Sequence, residues 1–116
     1  NFRNAKFVEC KMSGADFSGV SRLAVSFAFE KSNLSYASFI RTKLREMRFS
    51  ACQLNEAYFD EADISSSVFD RCDMERASFY QTNLEKVDFS TSFNFTIDPS
   101  ANLLKKAVCS GDYCPI

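Results

Sequence analysis

Residues 29–89 read FEKSN LSYAS FIRTK LREMR FSACQ LNEAY FDEAD ISSSV FDRCD MERAS FYQTN LEKVD F. Set out in fives, the stretch starts every block with a large apolar residue: Phe29, Leu34, Phe39, Leu44, Phe49, Leu54, Phe59, Ile64, Phe69, Met74, Phe79, Leu84 and Phe89. Two residues before each lies a second register of small or apolar side chains, among them Ser32, Ala37, Thr42, Met47, Cys52, Ala57, Ala62, Ser67, Cys72, Ala77, Thr82 and Val87. A period of five fits neither an α-helix, at about 3.6 residues, nor a strand, at about 2. A fixed repeat of this kind marks a solenoid, in which each unit buries its apolar face only by stacking on the next.

Working outward, the same beat opens the chain at Phe2, Phe7, Met12 and Phe17, with Ala5, Cys10 and Ala15 in the second register. Then the phase slips. Counting back in fives from Phe29 reaches Ala24, which lies seven residues after Phe17, so residues 18–23 carry a two-residue insertion, read as a corner loop. Aligning positions 20 apart, or 22 across the slip, gives columns that keep their residue type. One is Phe7, Phe29, Phe49, Phe69 and Phe89; the next is Met12, Leu34, Leu54 and Met74; the third is Phe17, Phe39, Phe59 and Phe79; the fourth holds Leu44, Ile64 and Leu84. Ala15, Ala37, Ala57 and Ala77 form an unbroken alanine column beside them. The fold class that follows is an all-β solenoid of about four coils, each four-sided with one pentapeptide per side. These columns are its core ladders. Two side chains of every five point inward and three outward, and coils stack at the roughly 4.8 Å spacing of paired strands.

The outward positions carry their own logic. Arg41 stacks on Glu61, Lys43 on Asp63 and Glu56 on Arg76 in successive coils, pairs worth little singly but opposed to like-charge registers. After Phe89 the register fails, because position 94 is Asn. Residues 92–97 alternate as a last strand. Asp98-Pro99 then resembles an N-cap and first helical position, and Leu103, Leu104, Ala107 and Val108 make one apolar face. The pattern predicts a repeat domain over 1–95. It is followed over 96–116 by a strand and short capping helix, from Pro99 to about Val108, and a loose tail.

Composition narrows the function classes. Fifteen acids against fourteen bases leave a net charge of −1, unlike the basic surface of a nucleic-acid binder. No apolar run approaches a membrane span. The chain opens in mid-repeat without Met, which reads as a trimmed start. It has no His, so no His-based nucleophile pair, and no clustered metal ligands or glycine-rich phosphate loop. The run Asp60-Glu61-Ala62-Asp63 falls on outer positions, with Ala62 in register. We therefore expect no catalytic, cofactor or metal site and no enzyme activity.

Cys10, Cys52 and Cys72 occupy inward small-residue positions as buried thiols. Five cysteines without dense spacing point to a reducing compartment. Cys109 and Cys114 are read as free thiols, with a local disulfide as the alternative if the protein is exported. Arg41, Lys43, Arg45 and Arg48 read as a ladder facing the acids of later coils, with an acidic partner as the alternative. The surface signal for function is aromatic. Tyr36, Ile40, Tyr58 and Tyr80 fall on outer positions of one side, and tyrosines are enriched at protein interfaces.

The units Ala15-Asp16-Phe17-Ser18, Ala37-Ser38-Phe39, Ala62-Asp63-Ile64-Ser65, Thr82-Asn83-Leu84 and Val87-Asp88-Phe89-Ser90 resemble the A(D/N)LXX signature of the pentapeptide repeat family, over residues 1 to about 91. The resemblance implies a right-handed quadrilateral β-helix; the hand comes from the family. The Phe-rich central position and the insertion also resemble bacterial quinolone-resistance (Qnr-type) members. These imply a cytoplasmic bacterial protein that binds DNA gyrase as an acidic DNA mimic and dimerises through its C-terminal end. Against that stands the bare reading of the surface, a non-enzymatic structural module presenting a rigid face to an unidentified protein partner. A mimic needs a continuous acidic stripe, whereas this chain interleaves Arg and Lys at the same heights.

Overall fold

The chain winds as a parallel β solenoid. The structure, a computed structural model, describes residues 4–19 and 26–109. Its regular strands are β1 (Asn4–Val8), β2 (Ser26–Glu30), β3 (Arg48–Ser50) and β4 (Val68–Asp70), paired in parallel in that order. They form one side of the coil. The other sides pair through single bridges such as Asn33↔Gln53, Ser38↔Tyr58 and Lys43↔Asp63. Partners are 22 residues apart between the first two coils (Phe7↔Phe29, Asp16↔Ser38) and 20 apart thereafter (Phe49↔Phe69, Tyr58↔Ser78). The residues at 20–23 expected to hold most of the insertion lie outside the described residues.

Each side ends in the same backbone device. Lys31, Tyr36, Arg41, Glu46, Ala51, Glu56, Glu61, Ser66, Arg71, Arg76, Gln81 and Lys86 all have φ between 50° and 62°. A left-handed residue every five positions turns the corner, at a cost for residues that carry a Cβ. Gly14 and Gly19 fill this position in the first coil, where the conformation costs glycine nothing. The residue just before each central apolar one helps set the turn. Asn33, Asp63, Asn83 and Asp88 each accept, through Oδ1, the N–H two residues on, at 2.8–3.1 Å. That is an Asx turn, and it explains why Asp and Asn recur there.

The interior holds two stacks of rings. Phe17, Phe39, Phe59 and Phe79 stack at 4.9–5.1 Å, and Phe7, Phe29, Phe49, Phe69 and Phe89 at 4.8–5.4 Å. The stacks meet edge to face, as for Phe59 and Phe69 at 5.7 Å and 89°. Both arrangements suit the ring quadrupole. Leu34, Leu54, Met74, Leu44, Ile64 and Leu84 fill the remaining sides and are fully buried. The small second register does more than save space. Thr82 Oγ1 donates to the Phe59 carbonyl (2.7 Å), Ser92 Oγ to Phe69 (2.6 Å), and the Cys52 and Cys72 thiols to Phe29 and Phe49 (3.2 and 3.3 Å). Small donors there tie each coil to the one before it.

The C-terminal expectation needs correction. Among the described residues there is no helix, and 99–108 do not cap the rod. The repeat resumes. Leu103 pairs with Asn83 and Val108 with Asp88, through Leu103 N to Thr82 O (3.0 Å) and Val108 N to Val87 O (2.8 Å). Asn102, Leu104, Ala107 and Cys109 point inward and are half-buried; Leu103 and Val108 point outward. The apparent helical face was two pentapeptides, whose apolar residues fall at 103, 104, 107 and 108 by coincidence of spacing. Phe93 still pairs with Asp73 and Ala101 still accepts from Gln81 N–H, so the break lies only at 94–100. There Asn94 takes the left-handed turn, Phe95 (2% exposed) and Ile97 are buried, and Pro99 is exposed. Phe95 packs on Phe89 at 5.3 Å, so a ring still closes the core. Residues 110–116, expected as a loose tail, lie outside the described residues.

Candidate interaction face

The solenoid presents each outer triplet as a row on one side of the rod, with its first residue at the left-handed corner. On the side built over Phe39, Phe59 and Phe79, the rows are Tyr36, Ser38 and Ile40; Glu56, Tyr58 and Asp60; and Arg76, Ser78 and Tyr80. The bridges Ser38↔Tyr58 and Tyr58↔Ser78 fix the middle column. Tyr36 and Tyr80 are each 54% exposed and Tyr58 40%, while Ile40 is half-buried. The four residues singled out from the sequence therefore share one face. The tyrosines run diagonally across it, one per coil. Inside the rod the phenylalanines of the two columns stack on their column neighbours. Tyr58 instead has Ser38 and Ser78 above and below, so no ring covers it. Among the described residues, none of the three tyrosines has a ring or cation contact.

Carboxylates sit between the rings. Glu56 follows Tyr36 in one column and precedes Tyr58 by two residues in its row. Asp60 follows Tyr58 in the row and stacks below Tyr80. Ser78 Oγ donates to Asp60 Oδ1 at 2.6 Å, which holds that carboxylate against the sheet. Glu56 meets Arg76 only at 3.9 Å, with both side chains solvated. At the edge of the face, Ser18 hydrogen-bonds the Asp16 carboxylate and keeps it below the usual carboxylate range. The sequence reading had found the tyrosines but not the acids between them. The 20-residue column alignment was the signal that places Glu56 and Asp60 there.

Elsewhere the surface is ordinary. Arg41 meets Glu61 at 3.9 Å as expected, but the Lys43 and Asp63 columns pair without an ion pair among the described residues, since Asp63 instead turns back to Ser65. A closer pair, Lys6 to Glu30 at 3.0 Å, was not anticipated. Arg45 donates to Ser65 Oγ at 3.1 Å. The groove lined by Arg41, Lys43, Glu61, Asp63, Asn83 and Leu103 is open to solvent. Among the described residues no cluster of three ligating side chains is present, and no helix is long and apolar enough to cross a membrane. Cys52 and Cys72 are buried and free. Each thiol donates to a backbone carbonyl of the preceding coil, which suits a packing role. Cys109 is disulfide-bonded, which corrects its reading as a free thiol. The apolar exposure of Phe93, Leu103 and Val108 on the last coil was also missed, because those residues were assigned to the cap.

Comparison with known proteins places this geometry. The profile of the family described as a pentapeptide repeat region matches residues 1–79. No curated protein matches the chain. Among solved structures, the chain is similar to a pentapeptide repeat protein of the Arabidopsis thaliana thylakoid lumen, 25% identical with a TM-score of 0.64. That match covers 85% of this chain and 61% of the other, so the chain spans less than two thirds of that protein's length. It also matches the pentapeptide repeat protein Rfr23 of the cyanobacterium Cyanothece 51142, at 14% identity, TM-score 0.43 and 90% and 87% coverage. A third match is QnrB1, a plasmid-mediated fluoroquinolone resistance protein, at 11% identity, TM-score 0.43 and 95% and 93% coverage.

Proposed function

This chain belongs to the pentapeptide repeat family, and we propose that it works as a non-enzymatic interaction module, a rigid β-helical rod that presents the Tyr36, Tyr58 and Tyr80 face to a protein partner. The observation that carries this reading is the diagonal of three exposed tyrosines, with no ring stacked on any of them among the described residues, on an otherwise regular sheet. Tyrosine supplies contact area at low entropic cost, and a filled solenoid offers partners its outside only. The test is Tyr58→Ser with Tyr80→Ser. Both sites are solvated, so thermal stability should hold while a partner captured by the wild-type rod is lost. Equal capture by the double variant would remove the face from the account.

A gyrase-binding, DNA-mimicking role calls for an unbroken acidic stripe, and Arg41, Lys43, Arg45 and Arg48 interrupt it. The compartment follows the cysteines. A disulfide forms and persists in oxidising surroundings, so the proposal moves from the reducing cytoplasm to an oxidising compartment. Denatured protein purified without reductant should titrate with the three thiols of Cys10, Cys52 and Cys72; reaction of all five cysteines would restore the reducing assignment.

A further inference from the structure

From the alternation of rings and carboxylates across this face we infer the chemistry of its ligand: an extended peptide segment carrying two basic side chains, arginine above all, four residues apart. The inference rests on the interaction reading above and specifies it.

In the middle row, Glu56, Tyr58 and Asp60 stand in line. Each carboxylate has a tyrosine on two sides, Tyr36 and Tyr58 around Glu56, Tyr58 and Tyr80 around Asp60. A guanidinium bonds a carboxylate through its fork and stacks on an aromatic face at the same time. Two such seats are present, and among the described residues no cation occupies the rings. Asp60 keeps one oxygen outside the Ser78 hydrogen bond for an incoming donor. Glu56 holds Arg76 at only 3.9 Å, a solvated contact that a better-placed guanidinium displaces.

The spacing selects the segment. Glu56, at the left-handed corner, and Asp60 are four residues apart along one side of the rod, at most about 13 Å. An extended peptide repeats its side-chain direction every second residue, so residues i and i+4 point the same way across a similar span. Residue i+2 then lies over Tyr58. A spacing of three sends the second basic residue to the opposite side. A helical segment brings i and i+4 within about 6 Å, too close for the two seats. Ser38 and Ser78, flanking Tyr58, leave a flat bed on which such a segment lies across the rod.

The experiment is fluorescence anisotropy with a fluorescein-labelled Ser-Arg-Ser-Ser-Ser-Arg-Ser peptide and the intact chain. Controls carry the arginines three residues apart, or glutamates in their place. The four-residue spacing should bind best, the glutamate peptide not at all, and added salt should weaken binding. Tyr58→Ser with Tyr80→Ser, and separately Glu56→Gln with Asp60→Asn, should each weaken it about tenfold or more. Circular dichroism should show both variants folded. Indifference to arginine spacing, to the tyrosine pair or to the carboxylate pair would overturn the inference. So would absence of binding. If the peptide fails while capture of a protein partner still depends on Tyr58 and Tyr80, the ligand chemistry is wrong and the face stands. If capture is also indifferent to the tyrosines, both readings fall.

Discussion

The coil at 46–65 and the coil at 86–109 are built to one plan, and only the first follows it throughout. In the central coil every inward residue, from Met47 through Cys52, Leu54, Ala57, Phe59, Ala62 and Ile64, is buried. In the last, the segment 94–100 loses register between Phe93 and Ala101, which keep it; Pro99 stands outside, and Asn102, Leu104, Ala107 and Cys109 are only half-buried. Yet Leu103 and Val108 find the same partners, one coil back, that a perfect repeat would give them. The register is therefore held by the neighbouring coil rather than by an unbroken pentapeptide rhythm, as expected where each repeat interacts mainly with its nearest neighbours. A defect one side long is absorbed if something else fills the core, and here Phe95 does.

Breaking that contrast is straightforward. Phe59→Ala, which removes a ring stacked on both sides, should cost roughly 3–5 kcal/mol in chemical denaturation, whereas Leu104→Ala, on the half-open coil, should cost about 1–2. Similar losses would mean the two coils are equally packed. Phe95→Ala should lower stability by about 2–4 kcal/mol, less than Phe59→Ala since its ring packs tilted on Phe89 rather than in a stack, while Pro99→Ala should stay within about 0.5. If Phe95 proves as dispensable as Pro99, the break is not bridged by that ring. Ala57→Leu should overpack the alanine column and destabilise by ~1–3 kcal/mol, and Ala107→Leu, at a half-buried position, should be close to neutral in a thermal melt.

Acid gives the smallest effect. Thr91 hydrogen-bonds Asp70 and Ser100 hydrogen-bonds Asp98, as Ser18 does Asp16, and all three carboxyls sit below their ordinary value. A depressed folded-state pKa contributes stability above the ordinary carboxylate range and loses it as pH falls through the folded value. The melting temperature should thus be flat from about pH 7 to 5 and decline below about 4. Asp70→Asn should blunt that decline, and an unaltered profile would show that these hydrogen bonds do not matter to folding.

Much of this molecule was legible because its signal is repeated. The columns Phe29, Phe49, Phe69 and Phe39, Phe59, Phe79 gave the four-sided coil, and the slip before Phe29 gave the 22-residue offset. What escaped lay where the repeat is thin. Asn94 and Pro99 break the count, and two pentapeptides after a break look like a short amphipathic helix. The left-handed corner residues were also invisible, because Lys31, Arg41 or Glu61 carries no compositional mark of positive φ. The four-sided solenoid followed from the spacing, but the face did not follow as readily. Tyr58 stands out alone, whereas Glu56 and Asp60 become its neighbours only once residues 20 apart are laid side by side.

The claim that function lies on this face is tested most directly by site-specific photocrosslinking. A benzoylphenylalanine is placed at Tyr58 and, in a second protein, at Arg48, at the centre of an outer row on the opposite side. The account predicts one discrete crosslinked partner from position 58, competed by the peptide with arginines four apart, and none from position 48. Equal products from both positions, or products from position 48 alone, would contradict it.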